Sequence, residues 1–248
     1  MSKLIQWPRA QYWDKAWNPI IGCKPCSPAC EHCYAKAMSE RFHKSFAPHA
    51  SSQSRPPRKG VVFCGNMTDL FGEWVYSPSR FYVDIVSKKS NATYLWLTKR
   101  VSRMCDAVCE TSICADWRRT LNSNHYFGFT AENQMWFDTR TEAAAELPNW
   151  ANMWISAEPL LGPIDLEILY DESFDNLKWL VVGCESGPNR RPCKIEWVES
   201  IVEQCRAANV PVFVKQLDLN GKCERDITKF PKHLQIRQVP WATKGENK

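Results

Sequence analysis

Short apolar runs that end in a small residue followed by glutamate recur through the second half of the chain. Residues 127–132, 154–158 and 181–185 share this form, and their glutamates lie 26 and 27 residues apart. Apolar strands that alternate with helical segments at such a period predict βα units, whose strands pair in parallel. We therefore expect one edge of a sheet to carry the three glutamates, which are Glu132, Glu158 and Glu185.

Further strands and helices follow from the same patterns. Apolar runs predict strands at residues 61–64, 93–98 and 211–216, and a short strand near residues 19–22. Asn133 is a candidate N-cap for a helix that ends before Pro148. Together the segments predict an α/β fold, a partial or irregular (β/α) barrel of six to seven βα units.

Two more helices and two irregular segments complete this outline. Pro78 suits the first turn of a helix, and apolar residues recur every four positions over residues 196–208. Residues 44–60, rich in serine and proline, predict a long loop or lid, and residues 243–248 form a polar tail. We expect a single domain over residues 1–248.

Polar side chains follow most of the predicted strands. The loops after the strands build the active site of a (β/α) barrel. The candidates there are the cysteines of residues 23–33, Asn66, Asp69, Lys99, Glu132, Glu158, Glu185 and Lys215.

Composition is that of an ordinary soluble protein, with 44% hydrophobic and 24% charged residues. No apolar run approaches the roughly 18 residues of a membrane helix, and the first residues lack a signal-peptide core. We therefore expect a cytoplasmic protein that is not embedded in a membrane.

Positive charge is concentrated in the first half of the chain. Residues 1–125 carry 18 Lys/Arg and 9 Asp/Glu, a net charge of +9, whereas residues 126–248 carry 14 and 18, a net charge of −4. No acidic residue occurs over residues 41–68, which contain five Lys/Arg. This asymmetry indicates either a nucleic-acid or phosphate-bearing partner or a solvated basic loop.

The densest chemical signal is a group of cysteines early in the chain. Cys26, Cys30 and Cys33 have C-x3-C-x2-C spacing, and Cys23 lies three residues upstream. Three thiolates on one loop can hold three irons of a [4Fe–4S] cluster and leave the fourth iron open. A four-cysteine zinc knuckle and a group of buried thiols are the alternatives.

The cysteine spacing resembles the radical S-adenosylmethionine (SAM) signature. Further motifs along the chain resemble a radical-SAM-like domain family of uncertain function that is associated with phages and prophages. The matching residues are Trp17–Pro19, Gly22–Cys23, Ser27–Pro28, Cys30, Cys33–Ala35, Asp69–Phe71, Leu97–Arg100, Glu132–Asn133, Ser156, Glu158–Pro163, Glu185–Pro188, Arg191–Pro192 and Lys215–Gln216.

The resemblance implies a radical-SAM type of barrel with a [4Fe–4S] cluster and SAM as cofactors. In such enzymes the open iron chelates SAM, and an electron from the cluster cleaves SAM to a 5′-deoxyadenosyl radical. A flavodoxin- or ferredoxin-type electron donor is then expected. The family's usual cysteines correspond to Cys23, Cys30 and Cys33, so either Cys23 or Cys26 is the third ligand.

Roles for the other candidates also come from the resemblance. Asn66, Asp69 and Lys99 are assigned to SAM, as is Glu132 or Glu158, and Glu185 is assigned to SAM or substrate. Pairing of the glutamates with Lys99, Arg100 and Lys215 is the competing structural account. The substrate candidates are Arg190, Arg191 and Lys215, since arginines can clamp a carboxylate or phosphate.

Three cysteines outside the motif, Cys105, Cys109 and Cys114, either hold an auxiliary cluster or are ordinary helix and loop thiols. Among the twelve tryptophans, Trp7, Trp13 and Trp17 lie outside the periodic segments and are candidates for stacking on a base.

The resemblance, together with the cysteine spacing and the charge asymmetry, implies a radical SAM enzyme that isomerises or rearranges its substrate. The expected substrate is a modified nucleobase or nucleotide in phage DNA hypermodification, for example an amino-acid adduct of thymine, handled in the host cytoplasm. The alternatives are a radical SAM enzyme acting on a small metabolite or peptide, and a non-catalytic nucleic-acid-binding protein with a structural metal site.

Overall fold

The structure, a computed structural model, describes residues 5–53, 55–81, 90–111 and 124–241. The strands in these residues are β1 (Ile5–Gln6), β2 (Lys15–Trp17), β3 (Ile20–Ile21), β4 (His49–Ala50), β5 (Val61–Cys64), β6 (Thr93–Thr98), β7 (His125–Thr130), β8 (Asn152–Ala157), β9 (Leu177–Gly183), β10 (Val212–Leu219), β11 (Lys222–Glu224) and β12 (Gln238–Val239). The α-helices are α1 (Tyr34–Arg41), α2 (Val101–Thr111), α3 (Gln134–Ala144) and α4 (Ile195–Ala207).

One eight-stranded sheet organises the described part of the chain. Its strand order is β11-β10-β9-β8-β7-β6-β5-β2, and every neighbouring pair is parallel except the hairpin of β10 and β11. Two small antiparallel ribbons, β1 with β12 and β3 with β4, lie outside it. The α/β class predicted from the sequence is confirmed.

The central strands are buried along almost their whole length because both faces of the sheet are covered. All six residues of β7 and all four of β5 are buried, as expected for parallel strands between two layers. One face packs against α2, α3 and α4, and the other face packs against the segments around Tyr12 and Trp241.

The sheet curls tightly around Tyr12. The Tyr12 ring lies 6.2 Å from the ring of Phe63 in β5 and 5.5 Å from that of Phe213 in β10. Five strand spacings separate these two strands, which would be about 24 Å in a flat sheet. Contact of both strands with one ring therefore requires strong curvature, which brings the loops after the strands toward a common centre.

Several predicted elements match the structure closely. The strands at residues 61–64 and 93–98 have the predicted bounds. Asn133 caps α3, because its side chain accepts a hydrogen bond from the Trp136 backbone N–H. The helix predicted at 196–208 is α4.

The short strand predicted near residues 19–22 exists as β3. Its place among the βα units was wrong, because it pairs with β4 in a separate ribbon. The edge of the large sheet is instead β2, at Lys15–Trp17. Residues 44–60 are irregular apart from β4, as the loop prediction required, and residue 54 and the predicted tail at 243–248 lie outside the described residues.

No helix in the described ranges is long and apolar enough to cross a membrane.

Candidate functional site

A cavity of about 610 Å³ opens where the parallel strands end. Ten of the thirteen residues predicted for the site line it, namely Cys23, Cys26, Cys30, Cys33, Asn66, Asp69, Lys99, Glu158, Glu185 and Lys215. The other three, Glu132, Arg190 and Arg191, do not line this cavity. The curled sheet thus brings together residues that are up to 192 positions apart in the sequence.

The cysteine loop, defined as residues 22–33, is fixed at its start by backbone contacts. The Gly22 carbonyl accepts a hydrogen bond from Thr68 Oγ1 at 2.6 Å, and the Cys23 N–H donates to the Phe46 carbonyl at 3.2 Å. Gly22 has a φ of 96°, and a Cβ there would lie 2.4 Å from the Ala47 carbonyl oxygen. Only glycine fits this close approach.

The middle of the cysteine loop is held by Glu132, which is fully buried. Ser27 Oγ donates to Glu132 Oε1 at 2.5 Å, and Lys99 Nζ lies 3.1 Å from the same oxygen. Arg140 of α3 donates to the other oxygen at 2.5 Å. Both carboxylate oxygens are therefore engaged by this chain, and Glu132 supports the loop from beneath the cavity.

A second carboxylate, Asp69, orients the arginine that contacts the loop. Asp69 accepts hydrogen bonds from Thr98 Oγ1 at 2.8 and 2.9 Å, and its Oδ2 lies 3.1 Å from Arg100 Nη1. Arg100 in turn donates to the Lys24 carbonyl at 3.1 Å and to Cys26 Sγ at 3.6 Å. Asp69 thus acts on the cysteine loop through Arg100.

The end of the cysteine loop is held by Glu185 and Arg191. Glu185 is hydrogen-bonded to His32 Nδ1 at 2.9 Å and accepts from the Arg191 backbone N–H at 2.8 Å and from Arg191 Nε at 3.0 Å. Arg191 Nη1 also donates to the Pro28 carbonyl at 3.1 Å. Although burial opposes it, hydrogen bonding from Arg191 and His32 lowers the pKa of Glu185 to about 2.

Three thiols of the loop have pKa values that are shifted in different directions. Cys26 donates a hydrogen bond to Cys30, and this contact, aided by the charge of Lys99, lowers the pKa of Cys30 to about 3 against the effect of burial. The same contact and burial raise the pKa of Cys26. Burial, reinforced by Asp69, raises the pKa of Cys23 to about 11. Lys99 Nζ lies 3.4 Å from Cys30 Sγ, a contact that favours the thiolate form of Cys30.

Glu158 and Lys215 form an ion pair on the cavity wall, with Lys215 Nζ 2.8 Å from Glu158 Oε1. The Lys215 ammonium also lies over the rings of Tyr12 and Trp13, at 5.4 and 5.6 Å from their centroids. Glu132 also pairs with a lysine of the cavity wall, Lys99. Unlike Glu158, Glu132 and Glu185 are also hydrogen-bonded to side chains of the cysteine loop.

The two arginines predicted to clamp a substrate bind acidic side chains of the chain itself. Arg191 is paired with Glu185, and Arg190 Nη2 lies 2.9 Å from Asp218 Oδ1. Pairing of the three glutamates with Lys99, Arg100 and Lys215 was the competing sequence account. Lys99 and Lys215 do pair with Glu132 and Glu158. Arg100 does not follow it, because it pairs with Asp69 and Glu73.

Sequence reasoning missed the aromatic part of the cavity wall. Tyr12, Tyr34, Phe46 and Phe63 line the cavity together with Trp13, one of the predicted stacking candidates. The other two candidates, Trp7 and Trp17, are buried in the core. Adjacent aromatic residues outside any periodic segment, as at positions 12–13, were the available signal.

The remaining cysteines of the proposed auxiliary group are only partly described. Cys105 is buried in α2, with its thiol 3.5 Å from the Ala143 carbonyl, and Cys109 is exposed on the same helix. Cys114 lies outside the described residues. Among the described residues, no three His, Cys, Asp or Glu side chains converge as ligands of a single metal ion. In a cubane [4Fe–4S] cluster each cysteine thiolate binds a different iron, so the thiolates need not converge on a single metal ion.

Comparison with known proteins gives a family without an assigned activity. The chain belongs to the DUF5131 family, described as a protein of unknown function, which it matches over residues 8–239. No curated protein and no solved structure matches the chain.

Proposed function

We propose that this protein is a radical SAM enzyme, with Cys26, Cys30 and Cys33 as ligands of a [4Fe–4S] cluster. The observation that carries the proposal is the position of these thiols. They lie on one loop, fixed at its start, middle and end, at the wall of a 610 Å³ cavity beside two cations. That volume is within the usual range for a drug-sized or cofactor-sized ligand.

The residues present fit the cluster in donor type and in charge. Three thiols leave one iron without a protein ligand, which is the open position that SAM chelation needs. Lys99 donates to Cys30 Sγ and Arg100 donates to Cys26 Sγ. These two cations would offset the negative charge of cysteine thiolates bound to a cluster. When bound, the cluster would supply the electron that cleaves SAM reductively.

Within this proposal the strand-end carboxylates have different roles. Glu132 and Glu185 hold the cysteine loop through Ser27 and His32 and are positioning residues. Glu158 faces the cavity, where a carboxylate can accept hydrogen bonds from the ammonium or ribose hydroxyls of SAM. Asn66 and Asp69, after β5, line the same cavity. Cys23 remains the alternative third ligand.

The proposal also includes a specific type of α/β fold. We interpret the curled sheet as a partial (β/α) barrel of the radical SAM type. The seven strands from β2 to β10 in the sheet are parallel, and Tyr12 contacts both β5 and β10. Both observations support a barrel that is open between β2 and β11.

The reaction is tested by anaerobic reconstitution with iron and sulfide, followed by reduction in the presence of SAM. The proposal predicts about four irons per chain and release of 5′-deoxyadenosine. Cys30→Ala should abolish both, whereas Cys109→Ala, which removes an exposed thiol outside the loop, should leave both unchanged. Stoichiometric zinc without iron would favour the structural metal site instead.

We assign a nucleobase or nucleotide as the substrate class, because aromatic and basic side chains line the cavity together. Tyr34 and Met38 of α1 and Phe42, the residue that follows the helix, are spaced four residues apart and are 49%, 46% and 64% exposed. Tyr34 also lines the cavity. Exposed aromatic rings next to positive charge are typical of surfaces that bind single-stranded nucleic acid.

This substrate class accords with the acid-free residues 41–68, which begin at the last residue of α1. Isomerisation of a modified base in phage DNA, such as an amino-acid adduct of thymine, is the reaction proposed, with a flavodoxin- or ferredoxin-type protein as electron donor. The protein would work in the host cytoplasm. A base in duplex DNA would have to be flipped out, at a cost of a few kcal/mol.

Salt dependence tests the substrate class. Affinity for single-stranded DNA should fall steeply between 50 and 200 mM salt, and changing Arg55, Arg58 and Lys59 to alanine should reduce the slope of log K against log salt by about 2. A matched triple change at Lys178, Arg206 and Lys232 removes the same charge from the second half of the chain and should leave the slope unchanged. Affinity indifferent to salt and to the first triple change would favour a small metabolite or peptide.

A further inference from the structure

One arginine of the cavity wall differs from the other cations there in having no acidic partner. The lysines and arginines that line the cavity are Lys99, Arg100, Lys215 and Arg225. The first three each pair with a carboxylate, at 3.1, 3.1 and 2.8 Å. Arg225 forms no ion pair with any acidic side chain in the described part of the chain, although it lines the same cavity.

The acidic side chains of the β10–β11 hairpin are engaged by other cations. Asp218 of β10 pairs with Arg190 at 2.9 Å, and Glu224 of β11 pairs with Lys229 at 3.1 Å. Glu224 also accepts a hydrogen bond from the backbone N–H of Arg225 at 2.9 Å, but not from its side chain. The charge of the Arg225 guanidinium is therefore not neutralised within the hairpin that precedes it.

Contacts with two buried residues hold Arg225 in place. Its Nε donates to Gln216 Oε1 at 3.0 Å, and the buried Gln216 side chain is itself fixed because its Nε2 donates to the Cys184 carbonyl at 2.6 Å. The Arg225 carbonyl accepts a hydrogen bond from Nη2 of the buried Arg237 at 2.6 Å. Within the described ranges, the two terminal nitrogens of Arg225, Nη1 and Nη2, remain without a hydrogen-bond acceptor.

A guanidinium held in this way suits an oxyanion. Its terminal N–H groups lie in one plane and match two oxygens of a phosphate or a carboxylate. Because Gln216 fixes Nε, less side-chain freedom is lost when the terminal nitrogens bind a ligand. Arg225 is exposed, so an anion that enters the cavity can reach it.

We propose that Arg225 binds an oxyanion of the substrate, a phosphate or a carboxylate, with Gln216 as the residue that positions it. The identity of the ligand rests on the proposed nucleobase or nucleotide substrate, whereas the site itself depends on neither the iron cluster nor SAM. Arg225 thus takes the role predicted for Arg190 and Arg191, which pair with acidic side chains of the chain itself.

An aromatic ring for the base is present in the same cavity. Gln216 follows Lys215 in β10, and the Lys215 ammonium lies 5.6 Å from the centroid of the Trp13 ring. Trp13, Lys215 and Arg225 all line the cavity. The cavity therefore offers a cation for the phosphate of a nucleotide and an indole on which its base can stack.

Chemical modification of the full-length wild-type protein tests the site directly. Phenylglyoxal modifies arginine side chains, and tandem mass spectrometry of the digested protein measures the rate at each arginine. Thymidine 5′-monophosphate at ten times its Kd should slow the modification of Arg225 by about tenfold, whereas thymidine at the same concentration should not. Modification of Arg206, which is exposed on α4 and does not line the cavity, should be unaffected by both compounds.

Two further compounds separate the sources of the oxyanion. Thymine-1-acetic acid carries a carboxylate in place of the phosphate, so protection of Arg225 by this compound alone would identify a carboxylate as the bound group. Protection by inorganic phosphate but by none of the thymine compounds would support the anion site and reject the nucleotide substrate. Equal protection by thymidine and its monophosphate, or no protection by any of the anions, would overturn the inference about Arg225.

Substitution of Arg225 measures the same contact as an affinity. In equilibrium dialysis, Arg225→Ala should bind the protecting anion about 10- to 150-fold more weakly than wild type, as expected for a lost hydrogen bond to a charged group, and should bind thymidine equally well. Arg225→Lys keeps the charge without the planar fork and should recover part of the loss. Arg206→Ala is the matched control. Equal affinity for the anion in wild type and Arg225→Ala would contradict the proposal, whether or not the protein cleaves SAM.

Discussion

Ser27 on the cysteine loop donates a 2.5 Å hydrogen bond to Glu132, the residue two positions beyond the end of β7. The two residues are 105 positions apart in the sequence. Glu132 also pairs with Arg140 of α3 and with Lys99 after β6. The cysteine loop is therefore anchored to the sheet through one buried carboxylate, and its geometry depends on that carboxylate's charge.

Replacing Glu132 by alanine should be strongly destabilising. The change leaves the buried Arg140 without its anionic partner, and breaking a buried pair in this way costs about 3–5 kcal/mol. Urea unfolding of the purified protein measures the cost. Reconstituted iron should also fall, because Ser27 loses its acceptor. Glu142→Ala, on an exposed position of α3, is the control. Unchanged stability and iron content would contradict the anchoring role.

Replacing Glu158 by glutamine should weaken SAM binding and leave the iron content unchanged. Loss of one hydrogen bond to a charged group costs about 1.5–3 kcal/mol, or roughly 10- to 150-fold in affinity. Equilibrium binding of SAM to the reconstituted protein measures this effect. Glu172→Gln, on the exposed surface, is the matched control. Normal SAM binding by Glu158→Gln would remove Glu158 from the cofactor site.

Comparing Cys23→Ala with Cys26→Ala identifies the third iron ligand. We expect Cys26→Ala to lose the cluster, because Cys26 contacts Cys30 and receives a hydrogen bond from Arg100. Cys23→Ala should keep about four irons per chain. Iron content and the visible absorbance of anaerobically reconstituted protein report the result. Loss of the cluster in Cys23→Ala alone would assign the ligand to Cys23.

Acid should destabilise the protein partly through Glu185. Its pKa is about 2 in the folded protein, below the ordinary value near 4.5. A carboxyl group with a lowered folded pKa contributes stability that is present above about pH 4.5 and is lost as the pH falls toward 2. The free energy of unfolding should therefore drop less between pH 5 and pH 3 in Glu185→Gln than in wild type. An equal drop would show that the Arg191 and His32 contacts contribute nothing.

The sequence was sufficient for most of the sheet, because buried parallel strands appear as continuous apolar runs with sharp ends. Val61–Cys64 and Thr93–Thr98 are such runs. The edge strand Lys15–Trp17 has only three residues and begins with a charged one. It is therefore too short to show a hydrophobic pattern in the sequence. Ile20–Ile21 looked like a core strand because its two residues are apolar, although neither is fully buried.

The candidate site was predictable in its location and less so in its contacts. Convergence of the strand ends follows from parallel pairing alone, which is why ten predicted residues line one cavity. Each carboxylate can face into the cavity or away from it. The outcome depends on partners that are distant in the sequence, such as Ser27 for Glu132.

The most direct test of the radical SAM proposal is the electron paramagnetic resonance spectrum of the reduced, reconstituted protein with and without SAM. An iron without a protein ligand in the cavity predicts a [4Fe–4S] signal whose g values change when SAM is added, in the wild type and in the Cys109→Ala control. A metal site without that signal, or a cluster signal that SAM leaves unchanged, would contradict the account.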